Sequence, residues 1–252
     1  MGRFDGRTVV VTGGGGGIGG AVCRKFAAEG AAVAVFDRDE AAAATVAEAI
    51  GASALAVGCD ITVRTSVDEA VQRVTTELGP IDALVNNAGW DVFRPFLETT
   101  PDDWARLIDI NLVGALHMHH AVLPAMVERG AGRVVNVASD AARVGSSGEA
   151  VYAACKGGLV ALTKTLAREH ARHGITLNVV CPGPTDTALL ATVTDAAASP
   201  DKLREAFRRA IPMGRLGQPD DLAGAIVFLA SDDAAFVTGQ VLSVSGGLTM
   251  AG

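Results

Sequence analysis

Several residue types that often announce a function are nearly missing from this sequence. It has one tyrosine, Tyr152, two tryptophans and an aromatic share of only 4%. Its cysteines, Cys23, Cys59, Cys155 and Cys181, stand far apart with no C-x-x-C pair, which excludes a disulfide framework and a cysteine zinc site. Basic residues are outnumbered: 21 Lys plus Arg against 28 Asp plus Glu leave a net charge of −7. Sequence-independent binding to nucleic acid or to an anionic membrane needs the opposite field. No uninterrupted apolar run is long enough to span a bilayer, since the richest, Ile108 to Val127, is broken by Asn111, His117, His119, His120 and Pro124. Met1 to Gly6 is polar and runs straight into a strand, unlike a secretory signal. The expectation is a soluble, cytoplasmic protein with no metal, nucleic-acid or membrane partner.

What the chain does have is apolar material and glycine. Hydrophobic residues make up 49% and the mean hydropathy is +0.33, enough for a sizeable core and too much for a disordered chain. Val- and Ile-rich runs at Thr8 to Thr12, Ala32 to Phe36, Ala54 to Val57, Ala83 to Asn86, Arg133 to Ala138, Thr176 to Cys181 and Val241 to Val244 read as strands. They are continuously apolar, as parallel strands covered on both faces should be. Helical patterns lie between them at Ile18 to Glu29, Asp39 to Ile50, Val63 to Leu78, Pro101 to Arg129, Val151 to His173 and Pro219 to Ser231. This alternation predicts an α/β fold, a Rossmann-like doubly wound parallel sheet of seven strands in a single domain over residues 1–252. The segment 188–212, between the sixth and seventh strands, reads as a substrate lid and carries Lys202, Arg204, Arg208 and Arg209.

Five of the 30 glycines are consecutive, Gly13 to Gly17, and the run Thr12-Gly13-Gly14-Gly15-Gly16-Gly17-Ile18-Gly19 joins the first strand to the first helix. Glycine there lets the backbone turn tightly and approach a pyrophosphate, whose charge faces the helix N-terminus. Asp37, 18 residues beyond Gly19, ends the second strand where a carboxylate can accept both hydroxyls of an adenosine ribose. A 2′-phosphate beside it would be repelled by about 4 kcal/mol per charge at ~4 Å and an effective dielectric of ~20. The loop offers no cation to offset this, so NAD is expected over NADP, with Arg38 as the one nearby positive charge.

The single tyrosine is followed four residues later by Lys156, which puts both on one helix face, and Ser139 ends the fifth strand at the sheet's carboxyl edge. Hydride transfer at a carbonyl carbon needs a proton partner for the oxygen. A free phenol titrates near ~10, and a neighbouring ammonium and a positive nicotinamide would both favour phenolate. Ser139 can hold the substrate oxygen. Trp90 could line the substrate pocket or fill core, and Arg143 is near enough in sequence to Ser139 to touch the mouth. His117 and His120 share a helix face, but no carboxylate or cysteine completes a metal sphere, and they read as helix packing. Lys156 beside Cys155 could depress the thiol's pKa, although a small buried residue is the simpler reading.

At these positions the whole chain resembles the short-chain dehydrogenase/reductase family. The glycine loop, Asp60, Asn86-Asn87-Ala88-Gly89, Asn111, Ser139, Tyr152, Lys156 and Pro182-Gly183-Pro184-Thr185-Asp186-Thr187 fall where that family carries its motifs. The resemblance implies a homotetramer and a catalytic set of Asn111, Ser139, Tyr152 and Lys156, with Asn111 holding a water that relays protons from Lys156. It also implies cofactor contacts from Thr12, Gly13, Gly16, Gly17, Ile18, Gly19, Asp37, Asp60, Ile61, Asn87, Ala88, Gly89, Tyr152, Lys156, Pro182, Gly183, Thr185 and Thr187. Asp60 and Ile61 would meet the adenine, Asn87 the adenosine ribose and Thr187 the nicotinamide carboxamide. Ser139 to Gly158, the histidines at 117, 119 and 120 and the tail Val241 to Met250 resemble more narrowly the members that oxidise β-hydroxyacyl-CoA thioesters of ring acids. The leading expectation is therefore hydride transfer between NAD and such a thioester, its CoA phosphates met by the lid's cations. The alternatives are a 3-oxoacyl-thioester reductase of fatty-acid synthesis, which usually takes NADPH and favours a basic residue at the place of Gly16, and a dinucleotide-binding sensor without turnover.

Overall fold

The computed structural model describes residues 2–195 and 199–250. Residues 196–198 of the expected lid lie outside the described residues. Each strand-forming run is found within two residues of its expected ends: β1 Thr8–Thr12, β2 Ala32–Asp37, β3 Ala54–Gly58, β4 Ile81–Asn86, β5 Gly132–Val137, β6 Ile175–Pro182 and β7 Val241–Val244. They form one sheet in the order β3-β2-β1-β4-β5-β6-β7, with every pairing parallel. The chain winds outward from β1 in one direction and from β4 in the other. A crevice therefore opens at the carboxyl ends of β1 and β4, where such sheets bind ligands.

The helices α1 Gly17–Ala28, α2 Glu40–Ile50, α3 Arg64–Glu77, α4 Pro101–Ile108, α5 Gly114–Arg129, α6 Ala141–Val144, α7 Ala150–His170, α8 Ala188–Asp195, α9 Pro200–Ala210 and α10 Pro219–Leu229 cover both faces. Alternate residues of each strand feed two cores. Val9, Val11, Val33 and Val35 pack with Val22, Phe26 and Ile226, and Val10, Ala34 and Phe36 pack with Val67, Met118 and Met126. Burial on both sides is why the strands read as unbroken apolar runs rather than alternating ones.

Two expectations need correction. The helix expected over Pro101 to Arg129 is α4 and α5 joined through a π-helical turn, Asp109–Val113, so the ladder carries one wide turn in its middle. This joined helix is also long and apolar enough to cross a membrane by length and composition, contrary to the run-by-run reading. Part of it is core: Leu107, Met118, Val122, Leu123 and Met126 are buried in the protein.

Candidate active site

The crevice is a cavity of about 1140 Å³. Its cofactor-facing rim begins at the loop after β1. Gly13 and Gly17 adopt left-handed conformations at φ +63° and +51°, which favour glycine. A Cβ on Gly13 would sit 2.8 Å from the Ala88 Cα, and one on Gly19 only 2.1 Å from the Gly13 carbonyl oxygen. Gly16 meets nothing within 4 Å of its missing Cβ, so its openness faces space rather than protein. Helix α1 carries no acidic residue in its first turn, and its first-turn amides have no intrahelical acceptors, which is the electrostatic setting an anion needs. These observations fit a bound dinucleotide pyrophosphate.

Thr12 and Asn87 lock that loop to the end of β4. The Thr12 hydroxyl accepts from the amides of Asn87 and Ala88 at 3.0 and 3.1 Å, and the Asn87 side-chain amide donates to the carbonyls of Thr12 and Gly13 at 3.0 and 3.1 Å. Asn87 lines the cavity, but its NH2 group is engaged in holding the loop rather than open to a ribose. Asp37 also lines the cavity; its carboxylate accepts from the Gly15 and Asp39 amides, both at 3.0 Å, while Asp39 is the residue that caps α2. Asp60 and Ile61 lie along the same wall. The Thr62 hydroxyl, followed by the Thr62 amide, holds the Asp60 carboxyl below its usual range.

Ile61 depends on two residues the sequence did not single out for it. A Cβ on Gly114 would lie 2.5 Å from the Ile61 Cδ1, so any larger residue would push that side chain aside. The His117 Nδ1 donates to the Ile61 carbonyl at 2.9 Å, which gives this histidine a task other than helix packing. Among the described residues no group of three His, Cys, Asp or Glu could hold a metal.

At the inner end, Ser139, Tyr152 and Lys156 line the cavity together, and the Ser139 hydroxyl accepts from the Ala141 amide at 3.1 Å. Lys156 is buried, donates to the Val137 carbonyl at 3.0 Å and lies 5.6 Å from the centre of the Tyr152 ring. Burial lowers its pKa to about 8. Tyr152 departs from the expectation. Burial, then the carboxylates of Asp91 and Glu149, push the phenol well above its ordinary value, so it keeps its proton at neutral pH. Asp91 is itself pushed up to about 7, by burial first and then by a hydrogen bond and repulsion from Glu149. Burial also raises the Cys155 thiol, against a reactive role.

Asn111 reaches this end because the π-helical turn aims it inward. Its NH2 group donates to the carbonyls of Trp90 and Leu107 at 2.7 and 3.0 Å, and its oxygen accepts from the Trp90 amide at 3.2 Å. Asn111 thus grips the Trp90 backbone. The bare Cα of Gly89 leaves room for both partners, since a Cβ there would sit 3.0 Å from the Asn111 oxygen and 3.3 Å from the Lys156 nitrogen. Trp90 lines the cavity, with the Arg106 guanidinium 3.9 Å above its ring.

Pro182, Gly183, Thr185 and Thr187 bring the end of β6 to the cavity, and α8 and α9 roof it with Leu189, Leu190, Phe207 and Ala210. The expected basic contacts do not fall on this wall. Arg208 and Arg209 pair with Glu205 at 3.8 and 3.1 Å, Arg204 reaches the Thr194 hydroxyl, and Lys202 is exposed. Arg143 is likewise turned away from the mouth; it donates to the Ser243 hydroxyl at 2.8 Å.

Comparison with known proteins agrees with this geometry. The family model described as enoyl-(acyl carrier protein) reductase matches residues 13–249. An acetoacetyl-CoA reductase of Rhizobium meliloti is 41% identical over 96% of this chain and 98% of that protein. A 3-oxoacyl-(acyl-carrier-protein) reductase of Escherichia coli is 35% identical over 98% and 99%. The crystal structure of a 3-ketoacyl-(acyl-carrier-protein) reductase from Brucella melitensis, complexed with NADH, superposes with a TM-score of 0.91 at 37% identity, covering 98% of this chain and 99% of that one.

Proposed function

The chain belongs to the short-chain dehydrogenase/reductase family and is an NAD(P)-dependent oxidoreductase of secondary alcohols and ketones, and on that premise we propose that it reduces a 3-oxoacyl thioester to the 3-hydroxyacyl thioester. The direction is supported by the relatives, which are reductases of acetoacetyl-CoA and 3-oxoacyl thioesters, and a Tyr152 phenol whose pKa burial raises, lining an apolar-roofed cavity with Ser139, suits it. A phenol that keeps its proton is a donor to a ketone oxygen, and the Ser139 hydroxyl can hold that oxygen in place. The dinucleotide, when bound, supplies the hydride. Lys156 would hold its ribose, and the glycine loop with the start of α1 would hold its pyrophosphate.

The sequence put oxidation of a hydroxyacyl-CoA first and 3-oxoacyl reduction second. The names of the relatives favour the second. A ring acid, with 2-hydroxycyclohexanecarboxyl-CoA as the product, is the narrower form of this reading, supported by the stretch 139–158. NADH is preferred in this reading because Asp37 lies on the cavity wall and Gly16 offers no cation. The homotetramer and the cytoplasmic setting belong to the same reading; half-exposed apolar residues such as Leu116 and Leu242 suit burial against other copies.

Loss of reduced-nicotinamide absorbance, measured with acetoacetyl-CoA, a cyclic β-keto-acyl-CoA and their free acids, tests the proposal. Thioesters should be turned over far faster than the acids, and faster with NADH than with NADPH. Equal rates on acid and thioester would remove the thioester assignment.

A further inference from the structure

Ser139 follows the last residue of β5, but its hydroxyl is aimed by the segment beyond it. The Oγ accepts from the Ala141 amide at 3.1 Å, which leaves the hydroxyl proton available for a substrate oxygen. That amide belongs to α6, a helix of only four residues. A single turn fixes many dihedral angles for few hydrogen bonds and does not hold its shape unaided. Its own bonds are local: the amides of Arg143 and Val144 donate to the Asp140 carbonyl at 2.9 and 3.1 Å, and that of Gly145 to the Ala141 carbonyl at 3.0 Å. The aim of Ser139 therefore depends on what ties α6 to the sheet.

The tie is Asp140. It is 5% exposed, follows Ser139 directly and lines the cavity with it. Its amide donates to the Pro182 carbonyl of β6 at 3.0 Å. Its carboxylate accepts from the Ser243 hydroxyl of β7, and that hydroxyl accepts in turn from the Arg143 guanidinium at 2.8 Å. The bonds thus run from the residue after Ser139 out to the edge strand and back into α6. Ser243 stands within reach because β7 pairs with β6, which sets it opposite Cys181. The second Asp140 oxygen is buried with no hydrogen-bond partner among the described residues. A carboxylate oxygen left unmatched lowers stability, and a brace that served the fold alone could be apolar without that cost.

We propose that Asp140 and Ser243 are positioning residues: they clamp α6 to β7 so that the Ala141 amide keeps the Ser139 hydroxyl aimed at the substrate oxygen. Arg143, which the sequence placed at the cavity mouth, is then the cation that closes the clamp. Displacing a group that touches the reacting atoms by about 1 Å costs up to ~10²-fold in rate, so a brace outside the cavity can govern turnover.

The inference rests on Ser139 holding the substrate oxygen in the reaction proposed above. Ser243 is not part of the cavity wall, so Ser243→Ala opens the clamp and leaves the ligand contacts in place. It should lower kcat about tenfold, while KM and the NADH affinity read by fluorescence titration stay within about twofold of wild type. Asp140→Ala should do the same, and if circular dichroism shows it unfolded, Ser243→Ala decides. The double variant Ser139→Ala/Ser243→Ala separates aiming from general stability. With no hydroxyl left to aim, the second change should cost less than about twofold in kcat. An equal loss from Ser243→Ala with and without the Ser139 hydroxyl would overturn the proposal, as would a Ser243→Ala enzyme with wild-type kcat. If the Ser139→Ala enzyme turns over too slowly to measure, Ser243→Thr and Ser243→Val replace the cycle. The threonine keeps the hydroxyl and should keep kcat, whereas the valine matches its shape without the hydroxyl and should lose about tenfold. Equal kcat in these two would overturn the clamp. Any ketone or alcohol the enzyme turns over serves for these rates, so failure on oxoacyl thioesters would count against the proposed function and leave the clamp decidable.

Discussion

On the side of the cavity built from β1, β4 and β5, Thr12, Asn87, Asn111 and Lys156 are each hydrogen-bonded to backbone of another segment. On the side roofed by α8 and α9, helix α9 has no buried residue, and Arg208 and Arg209 pair with Glu205 of their own helix. The difference assigns the tasks. Proton and hydride transfer need atoms held to fractions of an ångström, which cross-braced polar groups provide. Enclosing an acyl chain needs only apolar area that can adjust, which a loosely attached helix supplies.

The sharpest way to break this comparison is Tyr152→Phe. If the braced side alone performs the chemistry, the variant should bind NADH normally, by fluorescence titration, and lose about 10³-fold in kcat. A variant retaining a third of wild-type turnover would move the proton donor elsewhere.

Beneath the braced side lies a buried polar hub whose acid sensitivity is the next largest effect. The His119 Nδ1 donates to the Ala115 carbonyl at 2.6 Å and its Nε2 accepts from Asn136 at 3.2 Å, while Asn136 also bonds Thr163 and Asn86. Burial pushes His119 down to about 4. The unfolded histidine takes a proton near ~6.5 while the folded one refuses it, so stability is present above that pH and is lost as pH falls toward 4. The loss should be about 3 kcal/mol. Urea unfolding at pH 7 and pH 4.5 should show a steeper fall for wild type than for His119→Gln. Parallel behaviour would show that the hub does not hold its histidine neutral.

Cofactor choice sharpens the comparison within the braced side. Asp37→Ala should shift preference from NADH toward NADPH by about 10²-fold, read as the ratio of kcat/KM values, because it removes one charge from beside the 2′ position. A wild-type enzyme already faster with NADPH would refute the ribose role of Asp37.

The braced side was also the legible one. Strands buried on both faces have to be apolar throughout, and a loop that must pass within contact distance of Ala88 and of its own helix has to be glycine, so both constraints are visible in the residue string. The Ser139, Tyr152 and Lys156 trio was legible because its spacing follows from a strand end and one helix turn. The π-helical turn was not, since one wide turn barely disturbs the apolar period of a long helix. Nor was the turning of Arg143 to Ser243, because it joins segments distant in sequence that only the sheet brings together. The lid's cations misled for a related reason: composition shows that α9 is basic but not which of its faces meets the cavity.

The smallest effect tests that roof. Phe207 is half-buried and faces the cavity from α9, beside Leu189 and Leu190 of α8. Since no residue of α9 is buried, Phe207→Ala leaves no core void, and stability should stay within about 0.5 kcal/mol of wild type. What it removes is apolar area offered to the acyl group, in ground state and transition state alike, so KM should rise while kcat holds. For a cyclic or long-chain 3-oxoacyl-CoA the rise should be about fivefold, near 1 kcal/mol. For acetoacetyl-CoA, whose short chain cannot reach as far, it should be smaller. Steady-state kinetics on the two thioesters separates these outcomes. A fall in kcat matching that of Tyr152→Phe would mean that the roof also fixes the reacting atoms, and the division of labour between the two sides of the cavity would not hold.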